Sequence, residues 1–525
     1  MIMARKKPQS IPGVSHEAEL ATLLKSVPGR NVPLLLEKIG SLVELAGRRK
    51  NTAATEKALE WCAIARRKKL DGVQRCLLDY YTANAWISRH HGKKTSAGRQ
   101  ATQWEQPEIE QAIYHLQKAV NDPAFPFLDE LLRCKILTSL GNQFAFMGHF
   151  ICALTYWDRA IEIDPAFGMA LGNRGKGIAE YAELIADDDK KPVFYGIALE
   201  NLLASTQDTA RYFGDGQGKE YFRAELEKIE AMLYNPDDET SLACATPTKT
   251  GKAGKGKTGR KWKLSHKLYL NPVNDLCRTS AAAYDLMEQP ETVPSSLRMT
   301  PQAFRFLAQI RLEYIAARQL ACDSIHAKAI RKMKKNAQTG GDNETLAYSL
   351  AMESLKLAYR SAWSLLPKMA HVIRLYFNLK LADSKTGLKT IWYTDGNPAN
   401  GLADVFTGSG NWLMRSLFWL SKELPSERLL PSMNADSDRL KTIAGELENA
   451  YLRVVELEPA NDAIVDNTIT RDKLEKATTD LLSLVRNAIV YLTLALHIEE
   501  KKRRQTEQDN PESAEYASVQ TALNA

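Results

Sequence analysis

Apolar residues recur three and four positions apart through most of the first 230 residues, the spacing of one face of an α-helix, and short turns separate the runs. From Asn235 to Lys263 the period breaks; Thr246 to Lys263 carries seven basic residues and no acid, a Gly/Thr/Lys tract that cannot pack a core and reads as a flexible linker. Trp262 to Leu276 then reads as an extended apolar piece closed by two Asn-containing turns. The helical period returns beyond it. It predicts helices over roughly Pro301 to Ala337, Asn343 to Lys380, Asn411 to Leu424, Asp436 to Glu456 and Thr470 to Arg503, followed by a disordered tail. The pattern therefore predicts an all-α protein.

Within the first part, Leu140, Gly141, Phe144, Gly148, Ala153, Trp157, Ala160 and Pro165 fall at the offsets of a tetratricopeptide repeat of about 34 residues. Gly141 and Ala153 are small where two antiparallel helices must approach, Trp157 and Phe144 fill the space between them, and Pro165 stops the second helix. Ala112, Leu116 and Ala119 echo the spacing before it, and Leu171, Gly175 and Ile178 after it; Ala58, Cys62 and Ala65 ahead of Leu77, Leu78 and Tyr81 suggest a more divergent pair. Stacked pairs of this kind form a solenoid whose concave face takes a protein partner. The domains expected are a partly helical N-terminal segment (1–49), a tetratricopeptide-like solenoid (50–235), a basic linker (236–261), a helical bundle (262–503) and a tail (504–525).

Composition narrows the chemistry. With 44% apolar and 25% charged residues the chain of 525 can bury real cores, and the formal charge of +7 is too mild to prove a nucleic-acid partner. Seven cysteines form no C-x-x-C pair and nine histidines are scattered, so no metal or redox spacing is present and no cofactor is expected. Neither a signal peptide nor a charge-free membrane span is legible, which makes a cytoplasmic protein the expectation. His90 and His91, near Lys93, Lys94 and Arg99, read as a solvated basic loop, and His149 as a turn residue.

Gly251-Lys-Ala-Gly-Lys-Gly256-Lys257-Thr258 satisfies the P-loop expression letter for letter. A working P-loop needs a buried strand before it and a helix after it, and the sequence suggests neither. A polycation contacting phosphate backbones through Lys255, Lys257, Arg260 and Lys261 is the reading preferred.

The most informative segment is Leu481 to Ile498, an apolar run interrupted by Arg486 with Asn487, in which Ser483, Arg486, Thr493 and His497 form a polar stripe along one side of a helix. A buried guanidinium keeps its proton and so requires a counter-charge: either a phosphate from outside, or an internal carboxylate such as Glu353, Glu446 or Glu448.

Three stretches carry a family resemblance: Leu268-Tyr-Leu-Asn-Pro-Val-Asn-Asp-Leu276, the aromatic Trp412 to Leu424, and Val485-Arg486-Asn487. Together, over about Trp262 to Lys502, they resemble the HEPN family (higher eukaryotes and prokaryotes nucleotide-binding), in the subgroup that follows tetratricopeptide-like repeats. The resemblance implies a helical bundle, commonly a homodimer, that binds RNA or nucleotide, and in many members a metal-independent ribonuclease with the signature R-x(4 to 6)-H. It also implies a bacterial defence or toxin-antitoxin role, phage defence included. Here the positions counted from Arg486 hold Tyr491, Leu492 and Thr493, so a phenol stands where the general base belongs. The expected cleft residues are Arg486, Asn487 and Tyr491, with binding favoured over cleavage; the competing reading is a non-catalytic adaptor in which the bundle dimerises the solenoids.

Overall fold

The structure, a computed structural model, describes residues 16–94, 104–212, 217–233, 257–288, 290, 300–327, 349–424, 437–456 and 467–509. Among them are eighteen α-helices and one two-stranded sheet, so the chain is all-α as its periodicity predicts. The described residues fall into two compact units. Residues 16–144 and 156–165 form one, and 145–155, 166–424 and 437–509 the other.

The first unit begins with α1 (His16–Lys25), α2 (Val32–Arg49), α3 (Thr52–Arg66), α4 (Gly72–Lys94) and α5 (Pro107–Asn121). Asn31 and Asn51 cap α2 and α3 by accepting the amides of Leu34 and Ala54, which satisfies donors that a helix start leaves open. Leu35, Ile39 and Leu42 of α2 bury against Ala58, Trp61 and Cys62 of α3, so residues 1–49 include a core helix. His90 and His91 lie on α4 rather than in a loop, and His90 is buried. α6 (Glu130–Phe146) and α7 (Phe150–Ile163) are the hairpin read from Cys134 to Phe167. A Cβ added at Gly141 would stand 2.6 Å from Trp157 Nε1, the close approach that the glycine permits. The boundary between the units runs through this hairpin, not through the basic tract at 236–261.

The second unit contains α8 (Gly168–Leu184), α9 (Lys191–Thr206), α10 (Gln217–Leu233), α11 (Lys257–Ser265) and α12 (Val273–Leu276). It continues with α13 (Thr300–Ile325), α14 (Leu350–Tyr376), α15 (Asp404–Thr407), α16 (Trp412–Glu423), α17 (Ser437–Asn449) and α18 (Arg471–Asp509). α13 and α14 pair along their length, and α18 packs on both and on α16. Leu474, Leu481, Val485, Ile489 and Leu496 of α18 are fully buried. α18 is long and apolar enough to cross a membrane, yet most of its apolar stretch is buried within this bundle.

Boundaries depart from the sequence reading for identifiable reasons. α11 replaces the start of the extended piece, with the Trp262 ring tilted against His266 and edge-on to His326, and only residues 266–272 are irregular before α12. Ser349 caps α14 by accepting the Met352 amide, and Asn378, at φ 49°, lies just past its end, so that helix is shorter than 343–380. Arg453–Val455, with two β-branched valines, leaves the predicted 436–456 helix and pairs in parallel with Thr468–Thr470, Val454 opposite Ile469. α18 continues through residues 504–509, where a tail was expected; 510–525 lie outside the described residues. So do 328–337 of the predicted 301–337 helix, 343–348 of the predicted 343–380 helix and 236–256 of the linker. Residues 257–261 belong to α11, and therefore a helix does follow the P-loop-like string.

Candidate functional site

α18 carries the three residues expected in a cleft, and all three face inward. Arg486 is 0% exposed, and so is the carboxylate it meets. Its Nη1 donates to Asp275 Oδ1 at 2.5 Å and to Asn487 Oδ1 at 3.4 Å, its Nε to the Tyr269 carbonyl at 3.0 Å, and its Nη2 to the Asn271 carbonyl at 3.0 Å. Asp275 Oδ2 accepts from the Tyr181 hydroxyl at 2.9 Å. The counter-charge is therefore Asp275, not Glu353, Glu446 or Glu448. Burial works to lower the Arg486 pKa, but Asp275 and the Tyr181 oxygen raise it above the usual guanidinium range. Burial, with Asp275 beside it, pushes the Tyr181 phenol well up.

The local sequence explains how three acceptors converge. Asn271 Oδ1 accepts the Val273 amide and its Nδ2 donates to the Ala281 carbonyl. Asn274 Oδ1 accepts the Tyr269 amide. These are the two Asn-containing turns, and they hold residues 269–275 with two carbonyls and one carboxylate pointing at α18. From behind, Asp285 accepts the Leu270 amide at 2.8 Å and a bidentate pair from Arg318 at 2.7 Å to each oxygen.

A second segment covers the next turn of the helix. Tyr491 is fully buried; its oxygen accepts the Ile151 amide at 3.3 Å, and its ring packs against Phe150 and His149. Asn487 Nδ2 donates to Cys152 Sγ at 3.9 Å. His149 Nε2 donates to the Ser416 carbonyl at 2.6 Å, and its Nδ1 lies 2.9 Å from Glu423 Oε1. Gly148, at φ 85°, leaves no room for a Cβ, which would stand 2.2 Å from Ser416 Oγ. Burial above all pushes the Tyr491 phenol well above its ordinary value, so it holds its proton and cannot serve as a base. Sequence reasoning treated His149 as a plain turn residue, and no local signal marks it as the imidazole beside Tyr491.

The residues expected to hold RNA do not join this cluster. Lys255 lies outside the described residues, Lys257 opens α11, and Lys261 is exposed on it. Arg260 Nη2 donates to the Ser280 carbonyl at 3.1 Å, and its guanidinium stands over the Tyr284 ring.

The open part of α18 lies further on. A groove of about 730 Å³ runs between His497, Lys501, Arg504, Gln505 and Gln508 on one side and Glu183, Asp188, Lys191 and Glu288 on the other, over a floor that includes Leu184, Ile185 and Ile498. A separate small cavity of about 20 Å³ beside His497 is lined by Ile185, Pro272, Met287 and Leu494 together with Asp187, Lys190 and Glu288. Lys191 stands 2.6 Å from Asp188 and, with Lys501 adding to it, holds that carboxyl below the usual range. Glu183 accepts from the Tyr195 hydroxyl. The sequence assigned Lys501 to Arg504 to the dipole at the helix end, but α18 runs on to Asp509 and its last turn holds no basic residue, so that role falls away; the sequence offered nothing to place an acidic wall opposite. Among the described residues no three His, Cys, Asp or Glu side chains converge as metal ligands.

Residues 294–499 match the family model described as LA2681-like HEPN. No curated protein and no solved structure matches the chain. The match supports a HEPN domain in this part of the chain and, in general terms, a nucleotide- or RNA-related function. It takes in Arg486, Asn487 and Tyr491, whereas the segments that close over them, 269–275 and 148–152, lie outside it.

Proposed function

We propose that this chain binds a nucleotide-class ligand through its HEPN domain and does not cut RNA at Arg486. One observation carries the reading: the guanidinium has four acceptors of its own chain around it and no exposed surface. An arginine that steadies a phosphorane must reach the phosphate, and a buried ion pair gives up its partner only at a cost of several kcal/mol, about 3–5 when one member is removed. Tyr491, held protonated, supplies no base. A defence role for this chain then runs through ligand sensing, with a protein partner on the tetratricopeptide-like repeats and a HEPN-mediated dimer as parts of the same proposal.

Metal-free incubation of the full chain with single-stranded and hairpin RNA should leave the RNA intact, and expression in a bacterial host should leave growth unchanged. Cleavage that disappears in Arg486→Lys while the melting temperature holds would overturn the reading. The adaptor alternative, in which the bundle only pairs chains, is favoured by Leu312 on α13 and by Leu350 and Leu357 on α14, large apolar side chains exposed on the bundle. It predicts self-association with no nucleotide or RNA bound.

A further inference from the structure

We propose that the groove at the C-terminal end of α18 is the ligand site, and that it takes a small phosphorylated ring compound of the nucleoside monophosphate class. The proposal rests on the nucleotide-binding reading for its ligand class and goes beyond it in naming the site and excluding a polymer.

Four features of the groove point the same way. First, His497, Lys501, Arg504, Gln505 and Gln508 fall at intervals of four, three, one and three residues, so a single face of α18 presents five hydrogen-bonding side chains along about 16 Å. Lys501 and Arg504 are one turn apart, spaced to grip one phosphate from two sides. Second, the facing wall is acidic. Glu183 and Glu288 are acceptors, suited to ribose hydroxyls or an exocyclic amine and hostile to a second phosphate. Third, Leu184, Ile185, Ala186 and Ile498 line the same groove and give it an apolar stretch for a flat ring. Fourth, about 730 Å³ lies within the range of small-ligand sites, about 300–1,000 Å³.

Charge excludes the polymer. Lys191, Lys501 and Arg504 are balanced by Glu183, Asp188 and Glu288, and a strand threading the groove would pass three carboxylates with no surplus of positive charge to hold it. A single anionic head with a donor-rich, ring-bearing body matches the separation of the two walls.

The test is calorimetric titration of the full chain with AMP, GMP, CMP and UMP, with inorganic phosphate, and with a single-stranded RNA lacking terminal phosphates. At least one monophosphate should bind, and inorganic phosphate should bind more weakly. Arg504→Glu and Lys501→Glu should each weaken the monophosphate by roughly tenfold or more, as expected for a lost charge-assisted hydrogen bond. Ala186→Trp, which fills the groove from an exposed position, should abolish binding with the melting temperature unchanged. Monophosphate binding that survives Ala186→Trp would overturn the groove assignment and leave nucleotide binding standing elsewhere. RNA that binds the wild type and Ala186→Trp equally, with no monophosphate bound at about 1 mM, would do the same. No binding of any of these probes would overturn the groove and the proposed function together.

Discussion

Arg486 and Arg504 lie about five turns apart on one helix and lead opposite lives. Arg486 is sealed among its own chain's acceptors, with Asp275, Tyr269 and Asn271 closing around it. Arg504 lines an open groove whose far wall carries carboxylates. The residue type is the same, so the difference is one of surroundings. Arg486 is met by a loop fixed by two asparagines and an aspartate, and the next turn of the helix is met by residues 148–152. Beyond Leu496 one side of the helix is still covered, by Ser409, Asn411 and Tyr376 bonding to Lys502, Glu499 and Glu500, while the side of His497, Lys501 and Arg504 lines the groove. Arg486 is a structural cross-tie, and the proposed ligand chemistry belongs where the helix emerges.

The largest effect that sharpens the contrast is loss of the cross-tie. Asp275→Ala strands a buried guanidinium and should cost about 3–5 kcal/mol, read as a lower urea midpoint with the slope unchanged. Next is the turn over Tyr491. Gly148→Ala both forces a Cβ into Ser416 and strains a backbone at φ 85°, and should cost more than about 1 kcal/mol. Tyr491→His, which places an imidazole five residues after Arg486, should produce no RNA cleavage on a denaturing gel, because the position is sealed rather than merely missing its base. Cleavage by that variant would break the comparison.

Acid should act through the loop that faces Arg486. Burial works against the ionised form of Asp285, yet Arg318 and the Leu270 amide hold its carboxyl below the usual value. With the folded-state pKa depressed, the stability it contributes is present above the unfolded value, about 3.9, and is lost as pH falls through the folded one. Thermal melts between pH 7 and pH 2 should show that loss, and Asp285→Asn should flatten it. The smallest effect belongs to the open end: Lys501→Glu, at an exposed position, should change stability by no more than about 0.5 kcal/mol. A large loss there would mean that the groove's rim is structural too.

The all-α class, the hairpin around Gly141 and Trp157, and the helices after residue 300 were legible because each rests on local spacing. The need of Arg486 for a counter-charge was legible as well, and so were the asparagine turns of 271–274. That those turns deliver Asp275 to Arg486 was not, because the two residues are 211 positions apart and each looks ordinary alone. His149 was missed for the same reason: its partners Ser416 and Glu423 are more than 260 residues further along the chain. The groove was hidden because one wall is a stripe on α18, readable as dipole compensation, and the other joins the end of α8 and the turn into α9 to Glu288, about 100 residues further on. Helix ends moved where a cap or a β-branched run decided them, at Ser349, Asn378 and Arg453–Val455.

The most direct measurement is a double-mutant cycle in urea between Asp275→Leu and Arg486→Met, with nucleoside monophosphate titration of each variant. If Arg486 is a cross-tie, each single variant loses about 3–5 kcal/mol, the apolar pair recovers most of it, and the recovered protein binds the monophosphate as the wild type does. If Arg486→Met alone leaves stability untouched and abolishes nucleotide or RNA binding, the guanidinium serves an anion from outside the chain and the account is contradicted.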